Sequence, residues 1–366
     1  MDIRLENVLE YEQPTKYIVK SENYSDDFAL PVLTAGKSFV LGFTDETDGI
    51  CKASESPVII FDDFTADCKY VDFDFKVKSS AMKILHKANT KDNLKYYFYA
   101  MQAIDYTPFS HKRVWISEYS KFKIKNRSIA EQNNIVKELD TVATAIDNAK
   151  QRLNALDELV KSRFIEMFGH PDANEKGWEK SKLENFINVV GGYAFKSQKY
   201  LSKGIPVLRI GNINAGYFRD TNLVFYQEDS ALEKYKIYPN DLVISLTGTA
   251  GKDDYGNICL MDSTYGVYYL NQRNAKIEIK HNFNRFFLMY LFAHPEIKQR
   301  LTGKNHGIRQ GNILNKDILE LDVYVPPIEL QNEFADFVKL IDKSKFVGYF
   351  TLNIFYVKSS HFHHPP

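Results

Sequence analysis

The chain has 366 residues, and its 47 lysines and arginines are balanced by 47 aspartates and glutamates. This zero net charge excludes a uniformly basic nucleic-acid coat, although it allows a basic face on one part of the surface. The length allows two globular domains and a connector. Three cysteines without C-x-x-C spacing, and no signal-like or membrane-length apolar run, favour a cytoplasmic protein that is not in a membrane.

Residues 1–127, called lobe one below, are predicted to mix strands and helices. Valine, isoleucine, phenylalanine and tyrosine are frequent in three stretches that predict strands, residues 30–40, 57–61 and 70–77. Two helices are expected, at residues 80–88 and 92–104. The lobe ends in extended structure at residues 115–124.

A long amphipathic helix is predicted next, as the central region 128–169. Its apolar residues alternate at spacings of three and four, which is typical of a coiled-coil a/d seam. Ser128 and Glu131 have the spacing of a capping box, and Gly169 and Pro171 are typical of a helix end. We expect the seam to form a subunit interface through Ile135, Leu139, Val142, Ile146, Leu153, Leu156, Val160 and Phe164.

Such a long and narrow stripe needs a second long helix, from this chain or from a partner. The alternative is an ordinary buried helix within one large domain. Because the stripe is narrow and lies in the middle of the chain, it favours a rod that joins two lobes.

Residues 170–326, called lobe two below, again mix strands and helices. Strands are predicted at residues 206–213, 241–246, 257–261 and 275–279. A helix is expected at residues 284–301. Residues 319–325 are expected to be extended, and a further helix to begin at Ile328.

The two halves of the sequence indicate an internal repeat. Leu5-Glu6-Asn7 recurs as Leu183-Glu184-Asn185, and Glu131-Gln132-Asn133 is similar to Leu330-Gln331-Asn332. The offset between the halves grows along the chain, which predicts insertions in lobe two. A repeated unit of lobe and helix predicts pseudo-twofold symmetry and two helices packed antiparallel on their seams.

Two stretches carry a family resemblance: LDELVKSRFIEMFG at residues 156–169, followed by Gly177-Trp178-Glu179, and PPIELQN at residues 326–332. They are similar to two conserved regions of the specificity subunits of type I restriction–modification enzymes. The family's target-recognition domains are similar to residues 33–37 with 60–65 and to residues 270–273 with 310–313.

The resemblance implies an α+β protein whose two mixed lobes are target-recognition domains joined by long coiled-coil helices. Each lobe would read half of a split site in double-stranded DNA, and the helices would set the gap between the half-sites. The helices would also dock methyltransferase subunits, two of them in the expected complex, and a motor–nuclease subunit would join. The chain itself would do no chemistry and need no cofactor.

The C-terminal part departs from the family's pattern. The second helix is expected at residues 327–346, shortened because its apolar seam fades after Ile341. Gly348 and the aromatic, β-branched residues beside it are poor helix formers. The sequence therefore predicts an atypical, non-helical tail at residues 347–366.

Side chains that can neutralise phosphates or read bases are candidates for DNA contact. Lysines and arginines crowd residues 76–95 and 111–127, and forked or amide side chains lie near predicted loops beside strands. The candidates in lobe one are Lys37, Thr65, Lys78, Lys83 and Arg113. The candidates in lobe two are Lys196, Arg209, Asn212, Gln272, Arg273, Arg309 and Gln310.

Two other functions remain open from the sequence. A stand-alone metal-dependent nuclease would use Asp62, Asp63 and Asp74 as magnesium ligands, although acidic residues in turns are more often caps. A coiled-coil adaptor would instead bind protein through its lobes. The glycine-rich residues 248–253 lack the spacing of a phosphate loop, and the histidines of residues 361–364 are expected in a frayed end. No metal site is predicted.

Overall fold

The computed structural model describes residues 1–35, 38–109, 112–252, 254–303 and 310–362, without the side chains of residues 347 and 350–362. Its internal contacts divide the chain into two compact units. The first unit is Met1–Ala149 with the chain from Leu352 onward, and the second is Lys150–Thr351. Within the described ranges, no helix is both long and apolar enough to cross a membrane.

In its described residues, lobe one contains two larger sheets, a separate pair of strands and one α-helix. Its elements in chain order are β1 (Asp2–Arg4), β2 (Leu9–Glu12), β3 (Leu30–Leu33), β4 (Val40–Thr44), β5 (Val58–Asp62), β6 (Cys68–Val71), β7 (Lys76–Val77), β8 (Met82–Lys87), α1 (Leu94–Gln102) and β9 (Lys123–Lys125). An antiparallel sheet has the order β2-β8-β5-β6. A second sheet has the order β4-β3-β7, with β3 parallel to β7. Strands β1 and β9 pair separately.

The prediction of a helix at residues 80–88 is wrong, because this segment contains strand β8. Met82, Ile84 and Leu85 are completely buried, and β8 lies between β2 and β5 in the sheet. Hydrogen bonds to strands on both sides come from distant parts of the chain. This tertiary pairing outweighs the helix propensity of methionine, lysine and leucine, which is a weak local preference.

The central helix, α2 (Ile129–Phe168), extends over 40 residues. The predicted capping box is confirmed: the Glu131 carboxylate accepts a hydrogen bond from the Ser128 backbone N–H at 2.8 Å, and Ser128 Oγ accepts one from the Glu131 N–H at 3.4 Å. The helix ends at Gly169, which has a φ of +79°. A left-handed residue closes a helix at little cost only when it is glycine.

Lobe two and the last helix complete the chain. Their elements are β10 (Glu179–Lys182), β11 (Ile187–Gly191), β12 (Ile205–Leu208), α3 (Ile210–Ile213), β13 (Val224–Tyr226), β14 (Lys236–Ile237), β15 (Leu242–Ser245), β16 (Thr247–Thr249), β17 (Ile258–Leu260), β18 (Tyr268–Leu270), β19 (Asn274–Ile279), α4 (Arg285–Ala293), α5 (Pro295–Thr302), β20 (Gln310–Asn312), α6 (Asn315–Leu319), β21 (Asp322–Val325) and α7 (Ile328–Phe362). The single helix predicted at residues 284–301 is two helices in the structure, because the helix breaks at His294 just before Pro295. Proline is favoured in the first turn of a helix and disfavoured in its interior.

The predicted internal repeat is confirmed by the order of the strands. In lobe two an antiparallel sheet has the order β11-β19-β15-β17, which matches β2-β8-β5-β6. The other sheet has the order β13-β12-β18-β14, and β12 runs parallel to β18 as β3 does to β7. Leu5–Asn7 and Leu183–Asn185 both form short 3-10 helices. The two lobes thus share one mixed α/β framework.

Each lobe is fixed to the start of its long helix by a buried glutamine. In lobe one, Gln132 is 1% exposed; its Oε1 accepts from the Asn93 N–H at 2.9 Å, and its Nε2 donates to the Arg127 carbonyl at 3.1 Å. Because both ends of the amide are bonded to backbone, the first turn of α2 is held against the first turn of α1.

Gln331 makes the same contacts in lobe two. It is 0% exposed; its Oε1 accepts from the Asn284 N–H at 2.8 Å, and its Nε2 donates to the Pro326 carbonyl at 2.8 Å. Asn93 and Asn284 also cap α1 and α4 through their side chains. The similarity between residues 131–133 and 330–332 therefore reflects one repeated joint.

Within the second unit, α2 and α7 pack antiparallel, as predicted. Phe164 lies 5.5 Å from Phe334 between ring centroids, and Asp157 forms an ion pair with Lys345 at 2.5 Å. As residue numbers fall along α2 they rise along α7, so the two helices run in opposite directions.

The seam residues of α2 are used mostly within this chain. Leu153, Val160 and Phe164 are buried, so their predicted role in an interface with another subunit is wrong. The other predicted members are half-buried: Ile135, Leu139, Val142, Ile146 and Leu156. Large apolar side chains that remain exposed on these helices include Leu159, Leu340, Phe346 and Tyr349.

The predicted end of the second helix near residue 346 is wrong, because α7 continues to Phe362. A glycine within a helix costs only about 1 kcal/mol relative to alanine, which packing can outweigh. At Gly348 a Cβ atom would lie 3.0 Å from Leu153 Cδ2. The missing side chain therefore allows α7 to approach α2 closely at this point.

Candidate nucleic-acid interface

The strongest candidate surface in lobe two lies where two parallel strands end. In the register of β12 and β18, Leu208 pairs with Leu270. Because parallel strands run in the same direction, their carboxyl ends meet at one edge of the sheet. Arg209 and the segment that starts at Asn271 leave the sheet together at this edge, and the Asn271 N–H donates to the Leu208 carbonyl at 3.3 Å.

A cleft of about 490 Å³ opens at this edge. Four of the residues predicted to contact DNA line it, namely Arg209, Asn212, Gln272 and Arg273. The remaining wall is mostly aromatic or polar, formed by Phe195, Tyr200, Thr221, Asn222 and Asn271 together with Ile210 and Gly211. The structure therefore brings together side chains from segments about 60 residues apart in the sequence.

Two cleft residues present their functional groups to solvent. Gln272 and Arg273 are exposed. Arg209 is half-buried; its guanidinium donates to the Asn222 carbonyl, and its Nε is a buried donor without a hydrogen-bond partner among the described residues. Guanidinium and amide groups can form the paired hydrogen bonds that distinguish base edges in the major groove. The cleft thus has suitable chemistry for nucleic-acid recognition.

Asn212 does not have the predicted role. It is 2% exposed, and its Nδ2 donates to the Arg219 and Thr221 carbonyls at 2.9 and 3.0 Å. Its Oδ1 accepts from the Arg209 N–H at 3.0 Å. Since its amide is bonded to the backbone at both ends, Asn212 shapes the cleft wall and cannot also read a base.

Lobe one has the same edge. Leu33 of β3 pairs with Val77 of β7, and the Lys78 N–H donates to the Leu33 carbonyl at 2.9 Å, as Asn271 does to Leu208. The exposed Arg113 reaches this edge by donating to the Ser80 carbonyl at 3.2 Å. Two predicted candidates of lobe one, Lys78 and Arg113, therefore belong to one region.

Lys78 is held by an acidic neighbour. Its amine is half-buried and forms an ion pair with Glu22, which raises the pKa of Lys78. It also lies 5.9 Å from the ring centroid of Tyr24. Its charge is therefore partly neutralised within the protein. The neighbouring candidate Lys37 lies outside the described residues.

Lys83 is a second correction, because its amine is in the interior. Lys83 and Asp63 are both 2% exposed in their side chains and form an ion pair at 3.3 Å. The Asp63 carboxylate also accepts from the Trp115 N–H at 2.8 Å. A paired and buried lysine cannot reach a phosphate, so its role is to join β8 to the β5–β6 turn.

Thr65, Lys196 and Gln310 are exposed and do not line the cleft. Thr65 lies in the turn after β5, Lys196 precedes the 3-10 helix Ser197–Lys199, and Gln310 begins β20. Arg309 lies outside the described residues. These positions remain predictions.

The basic cluster of lobe one is smaller than the sequence predicted. Lys76 is buried against Glu46 at 2.9 Å. Lys95 pairs with Asp140, Lys125 with Asp2 and Arg127 with Glu131, at 3.0, 3.0 and 3.3 Å. Internal ion pairs therefore use several charges that sequence alone assigned to a phosphate-binding face.

The carboxylates of the nuclease alternative have structural partners. Asp62 accepts from the N–H groups of Phe64 and Thr65 at 2.8 and 3.2 Å, which makes it a turn cap. Asp74 pairs with Lys52 at 2.8 Å, and this contact lowers the pKa of Asp74. In the described part of the chain, Asp62, Asp63 and Asp74 do not come together as a group of metal ligands.

The glycine-rich segment near residue 250 is not a phosphate loop. Thr247–Thr249 form β16, which pairs with β20, and the next element in the described residues is strand β17, not a helix. The Asp254 carboxylate accepts from the Thr249 N–H at 2.7 Å and from its hydroxyl at 2.8 Å. A carboxylate on these donors would repel a phosphate.

Sequence reasoning missed several residues of the cleft. Asn222 and Thr221 come from a turn in which Asn222 has a φ of +54°. Asparagine before a strand is a turn signal, but a turn signal alone gives no location in space. Phe195 and Tyr200 gave no signal at all, because aromatic residues are common throughout this chain.

Comparisons with known proteins agree with this architecture. A family model described as the type I restriction modification DNA specificity domain matches residues 175–346. Over 160 residues the chain is 47% identical to the EcoR124I/EcoR124II specificity subunit of a type I restriction enzyme from Escherichia coli, covering 41% of this chain and 40% of that protein. The chain thus aligns with less than half of that relative.

More distant relatives align over longer stretches. The MjaVIII specificity subunit from Methanocaldococcus jannaschii is 24% identical over 290 residues, which cover 73% of this chain and 67% of that protein. The crystal structure of a type I restriction–modification S subunit from M. genitalium superposes with a TM-score of 0.59 and 16% identity. That superposition covers 99% of this chain and 94% of the other, so the fold is shared.

Proposed function

Because the chain belongs to the family of type I restriction–modification specificity subunits, we propose that it recognises a split site in double-stranded DNA. Residues 1–127 and 170–326 are the two target-recognition domains, and each reads one half-site. The observation that carries this proposal is the edge where parallel strands end, which is present in both lobes and holds candidate DNA contacts in each.

In lobe two the readout depends on the cleft. Arg273 and Gln272 are exposed beside the half-buried Arg209, and their side chains offer forked or amide donors. Such groups form paired hydrogen bonds with guanine or adenine in the major groove. Lys196 and Gln310 provide further contacts on the same lobe, to phosphate or base.

In lobe one the corresponding contacts come from Arg113 and Lys78, together with Thr65. Lys37 is retained on its sequence alone. Lys83 and Asn212 are left out, since both are buried and bonded within the protein.

The long helices would have two roles. The central region, residues 128–169, fixes the gap between the half-sites. Apolar side chains exposed on the helices, among them Leu159, Leu340 and Phe346, support docking of methyltransferase subunits. A motor–nuclease subunit would complete the restriction complex in the cytoplasm. The chain would supply specificity, and other subunits would supply the chemistry.

The direct test is methylation mapping after co-expression with the methyltransferase subunits of the same system. The expected result is one split motif, two short half-sites around a fixed gap, modified on both strands. A continuous motif, or methylation that does not depend on this chain, would contradict the proposal. The purified chain with Mg²⁺ and DNA should cut nothing; cleavage that is lost in a folded Asp74→Asn variant would favour the nuclease alternative.

A further inference from the structure

Three metal-binding side chains meet where the central helix joins lobe two. They are His170, just after α2, His294, between α4 and α5, and Glu296, in the first turn of α5. One ligand atom from each lies within 4.8 Å of the other two. No other three histidine, cysteine, aspartate or glutamate side chains in the described ranges come together in this way.

The backbone fixes the position of His170. It follows Gly169, and its N–H donates to the Glu175 carboxylate at 2.8 Å. The indole of Trp178 donates to the Phe168 carbonyl at 2.9 Å, which closes the loop against the end of α2. The imidazole is exposed and can turn, although its attachment point is held.

His294 and Glu296 are arranged as if a partner were shared between them. His294 Nδ1 and Glu296 Oε2 are both buried, and neither has a hydrogen-bond partner among the described residues. They lie 3.7 Å apart, which is too long for a hydrogen bond. Polar atoms in the interior nearly always have a partner, so two of them facing one another need an explanation.

We propose that His170, His294 and Glu296 bind a transition-metal dication, with Zn²⁺ as the best match. Ligands about 2.1 Å from a tetrahedral zinc lie roughly 3.4 Å apart, close to the separation of His294 and Glu296. Imidazole suits zinc, whereas Mg²⁺ and Ca²⁺ prefer oxygen ligands. Rotation of the His170 side chain toward His294 and Glu296 would complete the three protein ligands. The fourth position is left to water.

The metal would act as a clamp. It would connect the residue that follows α2 to the junction of α4 and α5, all within the second unit. The role proposed for the metal is structural, because it would tie the end of the central helix to two helices of lobe two and so set the angle at which the central helix leaves the lobe.

The experiment must separate this site from the histidines at the C-terminus. The parent protein is therefore the full chain with His361, His363 and His364 changed to serine. Zinc affinity is measured by competition with a chromophoric chelator, and the visible spectrum of bound Co²⁺ reports the geometry. The variants are H170A, H294A and E296Q, and the matched control is H281A, which removes an exposed histidine elsewhere in lobe two.

The parent and the control should each bind one Zn²⁺ per chain, with a tetrahedral Co²⁺ spectrum. Because loss of even an outer-shell partner lowers metal affinity by 10–100-fold, loss of a ligand should lower it by about 100-fold or more. Zinc should raise the melting temperature of the parent but not of E296Q, which keeps the shape of the side chain. The proposal is overturned if the parent binds no zinc, or if H170A and E296Q bind it as tightly as the control.

Discussion

Lobe one and lobe two share a framework but differ at the edge where parallel strands end. The backbone contact that starts this edge is the same in both, Lys78 to Leu33 and Asn271 to Leu208. The side chains are not equivalent, because lobe one places a lysine there, paired with Glu22, where lobe two places an asparagine beside an open cleft. A constant backbone with variable side chains would allow one fold to read two unrelated half-sites.

The lobes also differ in one connection of the antiparallel sheet. In lobe one, β5 and β6 are joined by a tight turn at residues 63–67, capped by Asp62. In lobe two, residues 246–257 join β15 to β17 and include β16, which pairs with β20. This insertion contributes to the growing offset between the two halves of the sequence. It lies in a connecting loop, where extra residues do not disturb the sheet.

The largest expected effect comes from changing the helix that connects the lobes. Inserting seven residues after Ala149 preserves the heptad pattern and lengthens α2 by about 10 Å. At 3.4 Å per base pair, the gap in the methylated motif should lengthen by roughly three base pairs, with both half-sites unchanged. Methylation mapping is the measurement, and an unchanged gap would show that α2 does not set the spacing.

The two glutamine joints provide a matched pair. Gln132→Leu and Gln331→Leu each leave a backbone N–H and at least one backbone carbonyl without the glutamine partner, which should cost about 1–3 kcal/mol of unfolding free energy. Denaturant unfolding gives the cost of each. Asn332→Ala, which removes only an exposed bond to Asn284, is the control and should cost less than about 1 kcal/mol. A large cost for one glutamine and none for the other would mean that the joints are not equivalent.

The sequence predicted most of this framework, since the signals were local and repeated. The seam of α2, its capping box and its final glycine are short-range patterns that the structure confirms. Apart from the helix break before Pro295, which has a local cause, the main errors involve partners far away in the sequence. Lys83 is buried because Asp63 and Trp115 surround it, and β8 is a strand because β2 and β5 flank it.

The candidate site was predicted in part, for a related reason. Residue types identified Arg209, Gln272 and Arg273, and the parallel pairing of β12 with β18 brings them together. Nothing in the sequence distinguished them from Asn212, whose side-chain amide already donates hydrogen bonds to two loop carbonyls. The hydrogen bonds that a side chain can form could be predicted from its residue type. Whether the side chain is free to form them depends on its neighbours in the folded protein.

Readout should differ between the two strand edges. If Arg273 forms two hydrogen bonds with one guanine, Arg273→Ala should reduce the binding free energy by about 1–3 kcal/mol. It should also remove the base preference at one position of one half-site. Lys78→Ala should weaken all sequences equally and reduce the salt slope by at most about one, because Glu22 already shares its charge. Binding of the methyltransferase complex to a panel of site variants, over a range of salt, distinguishes the two.

The control for this pair is Arg285→Ala, since Arg285 is exposed on lobe two and bonded to the Asn240 carbonyl away from the cleft. It should leave sequence preference unchanged. If Arg273→Ala behaves like this control, Arg273 is not part of the interface.

The smallest effect concerns the close approach of α7 to α2 at Gly348. Alanine is about 1 kcal/mol better than glycine inside a helix, so Gly348→Ala should stabilise α7 if space were available. In the native chain the new methyl group would lie 3.0 Å from Leu153 Cδ2, a contact that should remove most of that gain. In a Leu153→Ala background the space exists, and the same substitution should stabilise by up to about 1 kcal/mol. Unfolding free energies of the four proteins in this double-mutant cycle give the coupling between the sites. Equal effects of Gly348→Ala in both backgrounds would show that the helices are not in close contact there.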